Sequence, residues 1–139
     1  MAIEPDTREI VLTIADETDL IRVRQILRAE AEDVGLGLVD LTKLVTAGSE
    51  LARNIITYAT GARGTLRVER LLPSARRGIQ ATFSDEGPGI ADLDAALTDG
   101  FSTSGSLGLG LPGSRRLVDE MTIESDAEGT TVVIVKWAR

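Results

Sequence analysis

Neither cysteine nor histidine occurs anywhere in this chain, and lysine occurs only at Lys43 and Lys136. Without cysteine there is no disulfide framework and no thiolate metal site, a composition that fits a reducing compartment. Without histidine there is no Ser-His-Asp triad, no His-ligated zinc and no imidazole to carry a phosphoryl group. The scarcity of lysine excludes a P-loop, which needs a lysine after its last glycine; neither lysine here follows a glycine loop. Long apolar runs are also missing, and the start, M-A-I-E-P-D-T-R-E-I, lacks the basic segment and apolar core of a secretory signal. A soluble, cytoplasmic protein is expected. Basic residues are the minority, 15 against 22 acidic, for a net charge of −7. Such a surface repels polyanions, so neither nucleic acid nor an anionic membrane is an expected partner.

What is present is ordinary for a globular protein: 42% hydrophobic and 27% charged residues over 139 positions. That length predicts one domain, residues 1–139, large enough to bury a core. Arg8 to Ala15 is short, β-branched and roughly alternating, which predicts an edge strand. Asp16 or Thr18 offers a cap for a helix whose Leu20, Val23, Leu27, Ala31 and Val34 recur at helical spacing until Gly35, with Arg22, Arg24, Arg28, Glu30 and Glu32 on a solvated face. Asp40 is the expected cap of a second helix, in which Leu41, Leu44, Val45, Gly48, Leu51, Ala52, Ile55 and Ala59 form an apolar stripe ending before Gly61. Glu50 and Asn54 lie four apart on one face of it. By spacing alone, such a pair is usually two solvated residues.

Thr65 to Leu72 and Gly78 to Asp85 alternate around P-S-A-R-R, which predicts an antiparallel hairpin. Ile79, Ala81, Phe83 and Asp85 share a face, so Asp85 ends on the core side. A carboxylate there requires a donor, either a protein N–H or a ligand amine. Asp92 is the expected cap of a short helix, and Thr98 to Leu107 reads as a flap. Pro112 suits the first turn of a helix carrying Arg115, Leu117 and Val118. Two strands follow, Met121 to Ser125 and Thr130 to Trp137, the second apolar on both faces and therefore central or doubly covered.

The stretch from Phe83 to Arg116 is unusual for its glycines: Gly87 and Gly89 follow Asp85, and Gly105, Gly108, Gly110 and Gly113 precede a helix. Glycine permits close backbone approach to a ligand, and a helix start offers unpaired N–H groups to an anion, so the stretch reads as a nucleotide site. Gly108, Gly110 and Gly113 satisfy G-x-G-x-x-G, but no strand precedes them, as a dinucleotide fold requires. Eukaryotic-type kinase signatures such as H-R-D are missing too.

E-L-A-R-N (Glu50 to Asn54), D-E-G-P-G-I (Asp85 to Ile90), G-L-G-L-P-G (Gly108 to Gly113) and G-T-T (Gly129 to Thr131) resemble, in order and spacing, the four conserved boxes of the GHKL ATPase and kinase superfamily. Within it, D-G-F-S-T-S-G-S-L-G-L-G-L-P-G-S-R-R-L-V-D-E resembles the RsbT-type serine/threonine switch kinases of the bacterial stressosome, relatives of the anti-sigma factors. The resemblance runs from Ile10 to Trp137. It implies a Bergerat fold, an α/β two-layer sandwich with a mixed, mostly antiparallel sheet, helices on one face and ATP between the layers.

The resemblance also implies roles. Asp85 accepts a hydrogen bond from the adenine amine, Gly87 and Gly89 let the backbone pass the base, and Thr130 completes the pocket through its hydroxyl or a water. Asn54 supplies an amide oxygen to Mg²⁺, Gly108 and Gly110 bring N–H groups to the phosphates, and Glu50 is the general base. Gly105 belongs to the same phosphate segment. Ser102, Thr103 and Ser104 either touch phosphate or are simply part of a flexible flap. Arg53, Arg115 and Arg116 are expected at the surface or against a partner. The implied partners are a STAS-domain protein as substrate and a PP2C-type phosphatase that the kinase activates. Two alternatives remain: an anti-sigma factor that binds a sigma subunit and phosphorylates its antagonist, and a nucleotide-gated binding module with little catalysis. Sensor histidine kinases need an acceptor histidine, absent here, and gyrase-type ATPases need a further domain.

Overall fold

The computed structural model describes residues 9–58, 64–72, 76–87 and 111–139. In chain order these form β1 (Glu9–Ile14), α1 (Glu17–Val34), α2 (Leu38–Tyr58), β2 (Gly64–Leu71), β3 (Gly78–Asp85), α3 (Leu111–Leu117), β4 (Glu120–Asp126) and β5 (Gly129–Trp137). The sheet order is β1-β2-β3-β5-β4, and each of the four described pairings is antiparallel. No parallel pair occurs among the described residues, where a mixed sheet had been expected. The α/β sandwich is as expected, as are the edge position of β1, the β2–β3 hairpin and Pro112 in the first turn of α3. Of the two possibilities for β5, the central one holds: it pairs with β3 on one side and β4 on the other. The helix expected after Asp92 and the flap expected over Thr98 to Leu107 fall outside the described residues. No helix among the described residues is long and apolar enough to cross a membrane.

The alternation of each strand decides which side faces the helices. Ile14, Leu66, Val68, Ile79, Ala81, Phe83, Val132 and Ile134 are buried on one sheet face, against Leu20, Val23, Leu27 and Ala31 of α1 and Leu41, Leu44, Leu51 and Ile55 of α2. Burying each large aliphatic side chain contributes about 1.5–3 kcal/mol, so this layer supplies most of the stabilisation. Helix α1 is capped by Asp16, not Thr18: the Asp16 carboxylate accepts from the Thr18 and Asp19 amides, and the Asp19 carboxylate in turn accepts from the Asp16 amide. Gly35, at φ 93°, ends it in the left-handed conformation that costs a side-chain-free residue least.

Two local expectations are corrected. Helix α2 begins at Leu38, and the Leu41 amide donates to the Gly37 carbonyl at 2.8 Å, so Asp40 lies inside the first turn and is not the cap. Its carboxylate instead faces Lys136, 3.4 Å away, whose ammonium is almost fully buried on the inner face of β5. Glu30 is not on a solvated face: it is only 8% exposed and accepts from Arg70 Nε at 2.7 Å. Arg70 follows Leu66 and Val68 on the inner face of β2, so its guanidinium reaches back to the α1 edge and also bonds Asp33 at 2.7 Å. Without Arg70 the buried Glu30 carboxylate would cost about 3–5 kcal/mol, which makes this pair a fastener between the layers.

A second charge cluster joins the chain terminus to the helices. Asp119 accepts from the Trp137 amide at 2.7 Å and from Arg139, and Lys136 stands 3.9 Å from it. Partial burial pushes the Asp119 carboxyl upward, but the Trp137 amide, Arg139 and Lys136 outweigh it and hold it below its ordinary value. The folded chain therefore binds this proton less readily than the unfolded chain. The stability so gained is present above the unfolded carboxylate value, near about pH 4, and is lost as pH falls through the lower folded value. Urea titrations of wild type and Asp119→Asn should differ most at neutral pH and converge below about pH 4. A gap constant with pH would show that the charge of Asp119 is uncoupled from folding.

Candidate functional site

The end of β3 sets the position of the site. The register places Ile14, Gly64, Asp85, Thr130 and Ser125 in one row across the sheet. Period-two alternation then puts the Asp85, Thr130 and Ser125 side chains on the face covered by the helices. Asp85 is half-buried, as its alternation with Ile79, Ala81 and Phe83 required. The first donor to it is a protein N–H: the buried Gly87 amide bonds Asp85 Oδ1 at 2.8 Å, a turn that bends the chain away from the sheet. The other carboxylate oxygen takes no bond among the described residues.

Two close approaches bring the remaining pieces to this row. A Cβ on Gly129 would stand 2.1 Å from the Asp85 carbonyl oxygen, so β5 can begin beside Asp85 only because residue 129 has no side chain. A Cβ on Gly64 would meet the Ile55 methyl carbons at 2.5 and 2.7 Å. The helical turn holding Asn54 and Ile55 thus rests on the first residue of β2, next to Asp85 in register. Asn54 is half-buried there, and Glu50, one turn earlier, is exposed. Beside Glu50, the buried Ser49 hydroxyl donates to the Val45 carbonyl at 2.8 Å and accepts from Arg24 Nε at 3.0 Å, tying α2 to α1. Arg53 is exposed, 3.7 Å from Glu17, and Arg115 and Arg116 are exposed on α3.

The structure therefore gathers Asp85, Gly87 and Thr130 at one sheet end, with Asn54 close by on α2 and Glu50 a turn further along. Gly89, Ser102, Thr103, Ser104, Gly105, Gly108 and Gly110 lie outside the described residues; the last of them directly precedes α3. Two contributors escaped the sequence reading. Gly64 had a legible signal, a glycine opening an alternating strand. Ser125, whose Oγ lies 2.8 Å from Thr130 Oγ1, had none, because the pairing of β4 with β5 creates the contact. Chemically, the row offers a carboxylate oxygen and a hydroxyl to a planar donor–acceptor edge, while α2 offers an amide oxygen and an exposed carboxylate.

Residues 7–136 match the family model of the histidine kinase-like ATPase domain. The chain is 44% identical over 127 residues to the serine/threonine-protein kinase RsbT of Bacillus subtilis, covering 91% of this chain and 94% of that protein. It is 32% identical over 104 residues to the anti-sigma F factor of Bacillus thuringiensis, covering 70% of each. A crystal structure of the RsbU and RsbW domains of Rv1364c from Mycobacterium tuberculosis shares the fold, with a TM-score of 0.60 at 21% identity over 96% of this chain and 33% of that one. With four motifs in order, their sheet end assembled as described and a relative matched over nearly its whole length, this chain belongs to the histidine kinase-like ATPase family, on its RsbT-type serine/threonine kinase branch.

Proposed function

We propose that this chain transfers the γ-phosphoryl group of ATP, with Mg²⁺, to a serine or threonine of a STAS-domain partner in a stressosome-type partner-switching pathway, and that it also engages and activates a PP2C-type phosphatase. The observation that carries this reading is the exposure of Glu50 one turn from the half-buried Asn54, on the helix whose next residue, Ile55, rests on the Asp85 row. A carboxylate open to solvent at the mouth of a nucleotide site can meet a hydroxyl presented by another protein. A module that only bound ATP would have no use for it.

The described residues fit an adenine nucleotide. Asp85 retains an acceptor oxygen beside the Thr130 hydroxyl, and Asn54 offers a hard amide oxygen of the kind Mg²⁺ accepts, alongside phosphate oxygens and water. Bound Mg²⁺ supplies charge neutralisation on the phosphates. Glu50 takes the proton of the acceptor hydroxyl as that oxygen forms its bond to the γ-phosphorus. The bond from phosphorus to the bridging oxygen breaks, and its electron pair leaves with ADP. Positioning and charge stabilisation do most of the work in such a transfer.

The similarity to an anti-sigma F factor favours one second reading: direct binding of a sigma subunit, with phosphorylation of its antagonist. Incubation with γ-labelled ATP, Mg²⁺ and the STAS-domain proteins of the same genome tests the first reading. Label is expected on one serine or threonine of a STAS protein. ATP binding without any transfer would leave a nucleotide-gated module, and stable capture of a sigma subunit would establish the second reading.

A further inference from the structure

We propose that Arg24, anchored by Ser49, receives a carboxylate of the protein substrate, so that the preferred acceptor is a serine or threonine with an acidic residue a few positions away; the inference rests on the transfer proposed above. Ser49 is buried, and Arg24 Nε donates to its hydroxyl at 3.0 Å while that hydroxyl donates to the Val45 carbonyl at 2.8 Å. Arg24 itself is exposed, and its two terminal nitrogens have no partner among the described residues. A surface arginine ordinarily samples many rotamers. Held at Nε, it presents the outer edge of its planar fork ready for a carboxylate.

The position of this fork relates it to Glu50. Each residue turns α2 by about 100°, so Arg53 lies about 40° and Glu50 about 100° round the helix from Ser49, in the same direction. From the α1 seam outward the order is Arg24 over Ser49, then Arg53, then Glu50, the last two exposed. A substrate segment that offers its hydroxyl to Glu50 and runs toward the seam therefore passes Arg24. Extended chain advances about 3.3 Å per residue, which sets the carboxylate about two to four residues from the acceptor. The charge distribution agrees: Leu20 to Ala29 holds three arginines and no acidic residue, in a chain whose net charge is −7. Arg28, one turn beyond Arg24, is exposed and has no partner among the described residues. Ile21, 55% exposed, shares their stripe of α1 and adds an apolar contact. A local positive strip on an acidic protein selects an acidic segment.

KM and kcat for transfer to the STAS-domain protein labelled in the experiment above test this in Arg24→Gln and Ser49→Ala. Glutamine puts an amide nitrogen where Arg24 Nε stood, so the tie to Ser49 is kept while the charge and the fork are lost. Arg24→Gln should raise KM for the protein substrate about ten- to a hundredfold, the worth of hydrogen bonds to a charged group, with kcat and ATP affinity unchanged. Ser49→Ala keeps the charge but frees the side chain, and should raise KM about two- to tenfold. Neutralising the acidic residue near the labelled hydroxyl should raise KM with the wild-type kinase and add nothing with Arg24→Gln. An unchanged KM, a parallel fall in ATP affinity such as a merely structural tie would give, or additive losses across the two proteins would overturn the proposal. An unchanged KM with weakened phosphatase activation would assign Arg24 to that partner and overturn it equally. Wild-type protein that binds ATP but transfers nothing would reject the transfer reading and this inference with it, whereas transfer with KM untouched by Arg24→Gln would reject this inference alone.

Discussion

Glu50→Gln should lower phosphoryl transfer about 10²–10⁴-fold, the usual worth of a general base. Glutamine keeps the size of the side chain and its reach from α2 but cannot take the acceptor's proton. Glu50 is exposed, so the substitution leaves no buried group unpaired and the fold should be unaffected. ATP affinity should change little, because the proposed base meets the incoming hydroxyl while the proposed nucleotide contacts lie on the Asp85 row. The informative experiment measures transfer to a STAS partner, ATP affinity and phosphatase activation on the same variant. Loss of transfer with activation intact would mean that one surface carries two separable functions. Transfer within about threefold of wild type would remove Glu50 from the mechanism, since so small a change falls below any general-base contribution.

Asn54→Ala is the second large effect, expected to reduce transfer by at least about 10²-fold, because a metal ion on the phosphates is worth several kcal/mol of charge stabilisation. Its apolar neighbours Leu51, Ala52 and Ile55 keep their packing, and alanine is the better helix former, so α2 itself is preserved. Wild-type transfer should rise with Mg²⁺ and saturate, and in the variant ATP binding should lose its dependence on the ion. Identical magnesium titrations for the two proteins would reduce Asn54 to a helix amide with no part in catalysis. Together the variants test the division of labour proposed for α2, in which Glu50 moves a proton and Asn54 holds a charge in place.

Much of this molecule was determined within short stretches of sequence. Alternation along β3 placed Asp85 on the core side, Asp16 or Thr18 and Gly35 marked the ends of α1, and Pro112 opened α3, because each depends on dihedral preferences and hydrogen bonds among near neighbours. The order of the four motifs placed the chain in its family, since each glycine cluster answers a local need of the backbone. The tertiary structure decided what local rules could not reach. Insertion of β5 between β3 and β4 set Thr130 opposite Asp85 and brought Ser125 to Thr130. Contact between the layers turned Glu30 from an expected surface acid into the buried partner of Arg70, and drew Asp40 from capping α2 to pairing with Lys136. Packing of Ile55 on Gly64 brought the turn of α2 that holds Asn54 to the end of the sheet where Asp85 stands. The reason is common to all of these: periodicity tells a residue which way it faces, while strand order and layer packing, set by contacts distant in sequence, decide what it meets there.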